Sequence, residues 1–147
     1  MTTKEYLQQI YVIRQKIKRL NARRDTIRLE LYAVKSPAGN MSADRVQSSV
    51  TGDRIERLIA KVDAVEQDIV AHIEKLEKAR ARISEQIEAV PDERYRRLLH
   101  QRYEQCWTWE RIAVEWQKGA NESGMSVRHI YRLHGEALRA FEKIIKK

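Results

Sequence analysis

The sequence is poor in the residues that cross-link small domains and in those that interrupt helices. Its 147 residues include one cysteine, two prolines, five glycines and one phenylalanine. A single cysteine, Cys106, excludes a disulfide within the chain and is typical of a reducing compartment, so we expect a cytoplasmic protein. The shortage of helix-breaking residues favours an all-α fold over short strands joined by tight turns.

Long apolar runs are also absent. No stretch approaches the roughly 18 consecutive apolar residues that a membrane-spanning helix needs, and Met1 to Glu5 lack the apolar segment expected of a secretory signal. Charge is abundant instead, since 29 Lys and Arg against 21 Asp and Glu give a net charge of +8. Such an excess favours a polyanionic partner, and we expect no membrane association.

No motif of an enzyme or a cofactor site is present. The serines lie in a predicted connection or at predicted helix starts, and the chain has no glycine-rich phosphate loop. His129 and His134 are five residues apart on a predicted helix, so they point to different sides and do not form a metal site. We expect no catalytic residues, no cofactor and no metal.

Two long helices are predicted in residues 1–90, the first from Thr3 to about Val34 and the second from about Asp53 to Ala89. In both, apolar residues recur at alternating spacings of three and four, which is typical of coiled coils. Arg24 and His72 are the polar exceptions in this pattern. The stretch from about residue 35 to 52 contains Pro37 and little apolar periodicity, and it is predicted to be a flexible connection.

Neither long helix can bury its apolar stripe alone. The two helices must pair with each other as an antiparallel hairpin, with another copy of the chain, or with both. We interpret residues 1–90 as an oligomerisation region and expect a homodimer formed through the long helices.

Residues 91–147 are predicted to form a small helical domain. Pro91 ends the second long helix and starts a new one, which stops near Cys106. Thr108 is predicted to cap the next helix, and Ser126 the last one. The expected core consists of Leu98, Leu99, Ile112, Ala113, Trp116, Ile130, Leu133 and Leu138.

The last helix has two different sides. At 100° per residue its apolar residues fall on one side and its arginines on the other, so it can pack on the preceding helices and enter a DNA groove. The blander interpretation of the basic side is a solvated surface. We expect Arg128, Tyr131 and Arg132 to contact bases in the major groove. The residues expected to contact phosphates are Thr108, Arg111, Lys118, Ser126, Arg139 and Lys143.

Three stretches, at residues 98–103, 108–113 and 126–138, resemble region 4 of bacterial sigma factors. They resemble more closely the phage and prophage transcription activators of the ArpU/RinA type, and this likeness covers roughly residues 48 to 145. It implies a helix-turn-helix regulator in a bacterial host cell that binds double-stranded DNA and works with host RNA polymerase, often on late phage genes.

One departure from that family is the spacing between Ala113 and Gly124, which is eleven residues where the family has about four. Residues 117–123 would therefore form a longer turn. Two other functions fit the same pattern: a phage DNA-packaging factor such as a small terminase subunit, and a helical adaptor that binds a host protein. A ring of eight or more copies would indicate packaging, and binding without salt dependence would indicate the adaptor.

Overall fold

The computed structural model describes residues 1–36, 45–119 and 126–147, and these residues form an all-α fold without strands. The predicted fold class is therefore confirmed. The helices are α1 (Thr3–Leu7), α2 (Gln9–Lys35), α3 (Arg45–Glu88), α4 (Glu93–Leu99), α5 (Trp109–Gly119) and α6 (Val127–Ile145), and a π-helical turn, His100–Glu104, continues α4.

The long helices differ from the prediction at two places. The first predicted helix is divided at Gln8 into α1 and α2. The second helix begins at Arg45 rather than near Asp53, so the predicted flexible connection of residues 35–52 is wrong over its last eight positions. Helical backbone hydrogen bonds continue through Ser, Thr and Gly there, although these residues have a low intrinsic helix propensity. Residues 37–44 lie outside the described residues.

The chain divides into two compact units, which we call the hairpin unit (residues 14–75) and the main unit (residues 1–13 and 76–147). In the hairpin unit, α2 and α3 run antiparallel, because Glu30 pairs with Arg54 while Arg28 pairs with Glu66. Their shared core consists of Leu20, Ile27, Leu58, Val65 and Ile69, with Leu31, Val34 and Val62 packed against it. The two helices thus bury their apolar stripes against each other within one chain.

The polar exceptions in the stripe have local partners. His72 Nδ1 lies 2.8 Å from the carbonyl oxygen of Asp68, one turn earlier on α3. Arg24 is half-buried and its Nη2 lies 3.4 Å from Oδ1 of the neighbouring Asp25. Both residues therefore have a hydrogen-bonding partner although they lie in the apolar stripe of their helix.

The main unit contains two hydrophobic clusters. The first combines α1, α2, the last part of α3, α4, the π-helical turn and α6. It consists of Leu7, Ile10, Ala79, Ile83, Ile87, Val90, Leu99, Tyr103, Ala137 and Phe141. The second consists of Leu98, Ile112, Ala113, Trp116, Ile130 and Leu133. The predicted core residues are buried, except that Leu138 is half-buried at the edge of the first cluster.

The main unit is larger than the domain expected at residues 91–147. Leu7, Ile10 and Ile83 pack in the same cluster as Phe141 of α6. The ends of the two long helices therefore form one body with the C-terminal helices. A helical repeat pattern shows which residues are buried but not which helix covers them, so the sequence could not place this boundary.

Helix α4 begins at Glu93, two residues after Pro91, which was predicted to start it. Asp92 caps α4 by accepting a 2.8 Å hydrogen bond from the backbone N–H of Arg94. His100, at the start of the π-helical turn, is 2.6 Å from Glu88 and 2.5 Å from Glu104 through its two ring nitrogens.

Within the described ranges, no helix is long and apolar enough to cross a membrane.

Cys106 has a backbone conformation that side chains disfavour. Its φ is +58°, and it is the one non-glycine residue with positive φ in the described part of the chain. Its Sγ lies 3.6 Å from the carbonyl oxygen of Tyr103, and the side chain packs against the first cluster.

Replacing Cys106 should separate the backbone strain from the packing of the side chain. Both Cys106→Gly and Cys106→Ala lose the sulfur contacts, but only glycine relieves the left-handed conformation, which costs other residues about 1 kcal/mol. We expect the glycine variant to be more stable than the alanine variant by about that amount in urea unfolding. An alanine variant at least as stable as the glycine variant would contradict this account.

Candidate nucleic-acid interface

Helix α6 separates its apolar and basic residues onto opposite sides. Ser126 caps the helix, since its Oγ accepts a 3.2 Å hydrogen bond from the backbone N–H of His129. Ile130, Leu133, Ala137 and Phe141 are buried. The outward side carries Arg128, Tyr131, Arg132, Arg139 and Lys143, all of which are exposed. All five candidate side chains that follow Ser126 in α6 are therefore accessible to a large ligand.

Helix α5 supports α6 from one side. Thr108 precedes α5 and its Oγ1 accepts a 3.2 Å hydrogen bond from the backbone N–H of Arg111, as the predicted cap requires. Ile112 and Trp116 of α5 pack in the second cluster with Ile130 of α6. The small side chain of Ala113 lies in the same cluster.

Helix α5 extends into the turn predicted at residues 117–123. Residues 117–119 belong to α5, which ends at Gly119. The prediction of a turn is therefore wrong for these three residues. Gly124 and Met125, expected to end the turn, lie outside the described residues.

A buried polar contact fixes the back of α6. His134 is 8% exposed, and its Nε2 lies 2.5 Å from the hydroxyl oxygen of Tyr103. Burial lowers the pKa of His134 to about 4, with smaller contributions from Lys4 and Arg102, and burial raises the pKa of Tyr103 to about 12. Both groups are therefore neutral at pH 7, and the tyrosine hydroxyl and the histidine nitrogen share one hydrogen bond.

The ring of Trp109 joins this buried contact to the surface. It meets His134 edge-on at 4.6 Å between ring centroids, and it meets Tyr131 edge-on at 5.1 Å. Tyr131 is 49% exposed. One of the three candidate base-contacting side chains is thus held by an aromatic neighbour while its outer part stays accessible.

Three arginines stack on the three tryptophans, a feature that the sequence analysis missed. The guanidinium carbon of Arg111 lies 4.0 Å from the ring centre of Trp107, that of Arg102 lies 4.3 Å from Trp109, and that of Arg97 lies 4.8 Å from Trp116. Such stacking orients a guanidinium. Arg102 Nη1 also donates a 2.9 Å hydrogen bond to the carbonyl oxygen of Trp107, whereas the structure gives no hydrogen bond to a described residue for the guanidinium groups of Arg97 and Arg111. The position of Trp107 and Trp109 between Arg102 and Arg111 in the sequence is the signal that could have indicated the stacking.

The remaining candidates differ in how freely their charge is presented. Arg128, Arg139 and Lys143 have no acidic partner among residues 1–36, 45–119 and 126–147. Lys118 Nζ is 3.8 Å from Glu115, at the solvent-exposed end of α5. Arg132 Nη2 is 3.2 Å from His129 Nδ1 and donates to it. The outward side of α6 is accordingly rich in cations, and its one carboxylate among the described residues, that of Glu142, is paired with Lys146 at 2.6 Å and not with a candidate residue.

Over the described ranges, no group of three or more His, Cys, Asp or Glu side chains is arranged to hold a metal ion. His129 and His134 lie on different sides of α6, one half-buried near solvent and the other in the core.

Comparison with known proteins finds no match, whether to a family model, a curated protein or a solved structure.

The His134–Tyr103 contact should make stability depend on pH in a defined direction. The folded pKa of His134, about 4, is below its ordinary value of 6.5, so the unfolded chain takes up a proton that the folded chain does not. Stability is therefore unaffected above about pH 7 and falls as the pH drops from 6.5 towards 4. We expect a loss of about 2 kcal/mol between pH 7.5 and pH 5 from this residue.

Urea unfolding at the two pH values tests this expectation. His134→Gln should lose that part of the pH dependence, whereas His129→Gln, the control for removing a histidine from the same helix, should keep it. Equal pH dependence in wild-type protein and His134→Gln would show that His134 is not held neutral in the core.

Proposed function

We propose that this protein is a sequence-specific DNA-binding transcription regulator in which α5 and α6 act as a helix-turn-helix. The observation that carries the proposal is the outward side of α6, where Arg128, Tyr131 and Arg132 are exposed on a helix whose other side is buried. A helix held in this way can enter the major groove of duplex DNA. Its arginines would bind guanine through paired hydrogen bonds to O6 and N7.

The groups around α6 support contacts to the DNA backbone. Arg111 and the starts of α5 and α6 at Thr108 and Ser126 would bind phosphates, because helix N-termini present free N–H groups to anions. Lys118, Arg139 and Lys143 would add charge contacts without sequence preference. No catalytic residues or cofactor take part in this function.

The sequence resemblance to phage activators of the ArpU/RinA type extends the proposal. On this basis we propose that the protein acts in the cytoplasm of a bacterial host, at phage promoters, with host RNA polymerase as its protein partner. The arrangement of α4, α5 and α6 around one hydrophobic cluster is compatible with a domain like region 4 of sigma factors.

Substitutions on α6 should distinguish base contacts from phosphate contacts. A preferred duplex is first selected from a random-sequence pool with the wild-type protein, and binding is then measured to it and to a scrambled duplex. Arg128→Ala and Arg132→Ala should each weaken binding to the selected duplex about 5- to 150-fold, which corresponds to 1–3 kcal/mol, and should affect the scrambled duplex much less. Arg139→Ala, the matched control, should weaken both to a similar extent.

Two results would contradict the proposal. Selection that enriches no sequence would argue against specific recognition. Equal losses on both duplexes with Arg128→Ala and Arg132→Ala would remove these residues from contact with the bases.

We also propose that the long helices join two copies of the chain. Because α2 and α3 already bury their stripes against each other, a second copy would need another surface. Ile59, Val70 and Ile73 provide one on α3, since their exposed fractions are 40%, 56% and 40%. A dimer fixes the spacing of two DNA half-sites.

Sedimentation equilibrium should give twice the 17.4 kDa mass of one chain. Val70→Glu/Ile73→Glu should shift the protein to monomer, because burying two carboxylates in an apolar contact is costly. Leu29→Glu, at a position of α2 that is 71% exposed, is the control and should leave the dimer intact. A wild-type monomer would exclude this dimer, and a ring of eight or more copies would favour the DNA-packaging alternative.

A further inference from the structure

The hairpin unit carries a row of cations that the proposed function does not use. Lys16, Arg19 and Arg23 are exposed and lie three and four residues apart along α2, so they share one side of that helix. Arg57 and Lys61 are likewise exposed and lie four residues apart on α3. We call these five residues the hairpin basic face.

Contacts between the two helices put both rows on the same side of the hairpin. Arg23 and Lys61 line one groove between α2 and α3, with Leu20 and Val65 beneath them. The ion pair of Arg54 with Glu30, at 3.0 Å, joins the two helices on this side. The five cations therefore form one surface and not two separate ones.

The charge of this surface is not neutralised. Within residues 14–35 and 50–75, none of the five cations forms an ion pair. The one carboxylate in the groove, that of Asp68, lies 3.1 Å from His72 Nδ1. Like charges spaced three and four residues apart on a helix are mutually destabilising, so the arrangement costs stability unless an anion binds.

The other side of the hairpin is different. A shallow hollow there is lined by Asp63, Glu66 and Val70, and Glu66 is paired with Arg28. Asp63 and Glu66 thus lie away from the hairpin basic face, whereas Asp53 and Glu56 line a separate hollow beside Arg57.

We propose that the hairpin basic face binds the phosphate backbone of double-stranded DNA, as a second contact that is separate from α6 and independent of sequence. From Lys16 to Arg23 the cations span ~10 Å along the helix axis, a length over which duplex DNA carries about six charges. The five exposed side chains that define the face are all cations, which favours a polyanion over a protein partner or a membrane surface, because the latter two bind largely through apolar contact.

Two double variants with the same change in charge test the proposal. Arg19→Gln/Arg23→Gln removes two cations from the basic face. Arg14→Gln/Lys18→Gln removes two cations from other positions of α2 and is the control. Binding of the full-length variants to a random-sequence duplex is measured between 50 and 200 mM salt, after circular dichroism has shown that both variants are folded.

We expect Arg19→Gln/Arg23→Gln to bind about tenfold or more weakly at 0.1 M salt and to lower the slope of log K against log salt by about 2, whereas the control should change both much less. Equal effects of the two variants, or no change in slope with either, would overturn the proposal.

The same assay separates this inference from the proposed function. If Arg128→Ala and Arg132→Ala reduce binding only to the selected duplex while the basic-face variant weakens binding to every duplex, both proposals hold. If only the basic-face variant has an effect, α6 is not the base-contacting helix but the hairpin contact stands. If only the α6 variants have an effect, α6 stands as the base-contacting helix and the hairpin basic face does not bind DNA.

Discussion

The burial of one side of α6 is the interaction on which the rest of the main unit depends. Ile130 and Leu133, near the start of the helix, pack in the cluster with α4 and α5, while Ala137 and Phe141 pack in the cluster with α1 and the ends of the long helices. A single helix therefore contributes to both hydrophobic clusters. Burial of each large apolar side chain contributes about 1.5–3 kcal/mol. This packing fixes the orientation of α6, and it forces the arginines to face outward.

A polar contact refines that orientation. Apolar packing alone tolerates small rotations of a helix, but the hydrogen bond between Tyr103 and His134 requires one arrangement of the two rings. Trp109 then connects this pair to Tyr131 at the surface. This buried arrangement requires His134 to stay neutral. The outward side of α6 is thus positioned by groups that lie behind it and not by contacts among the basic residues themselves.

Charge is distributed unevenly over both units. The arginines near α5 are stacked on tryptophans. Among the described residues, the arginines on the outward side of α6 form no ion pair, and neither do the five cations of the hairpin basic face. A protein that needed its positive charge only for solubility would gain by interspersing acids, since ion pairs reduce the repulsion among like charges. The segregation of cations onto particular sides is the observation that supports the proposed contacts with DNA.

Much of the local structure follows from the sequence alone. The apolar periodicity predicted the long helices, and the caps at Asp92, Thr108 and Ser126 are formed as the residue types indicate. The two-sided character of α6 was also predictable, because it depends only on the order of residues along one helix. These features are determined by interactions within a few residues of each other.

Other features depend on which elements meet in space, and only the tertiary structure decided them. Leu7 and Phe141 pack in one cluster although they lie at opposite ends of the chain, so the main unit could not be delimited from a repeat pattern. The Tyr103–His134 bond and the stacking of Arg97 on Trp116 join separate helices in the same way. The start of α3 at Arg45 shows helical backbone prevailing over a local composition that disfavours it. Periodicity shows that a side chain is buried, but the neighbour that buries it is set by the fold of the whole chain.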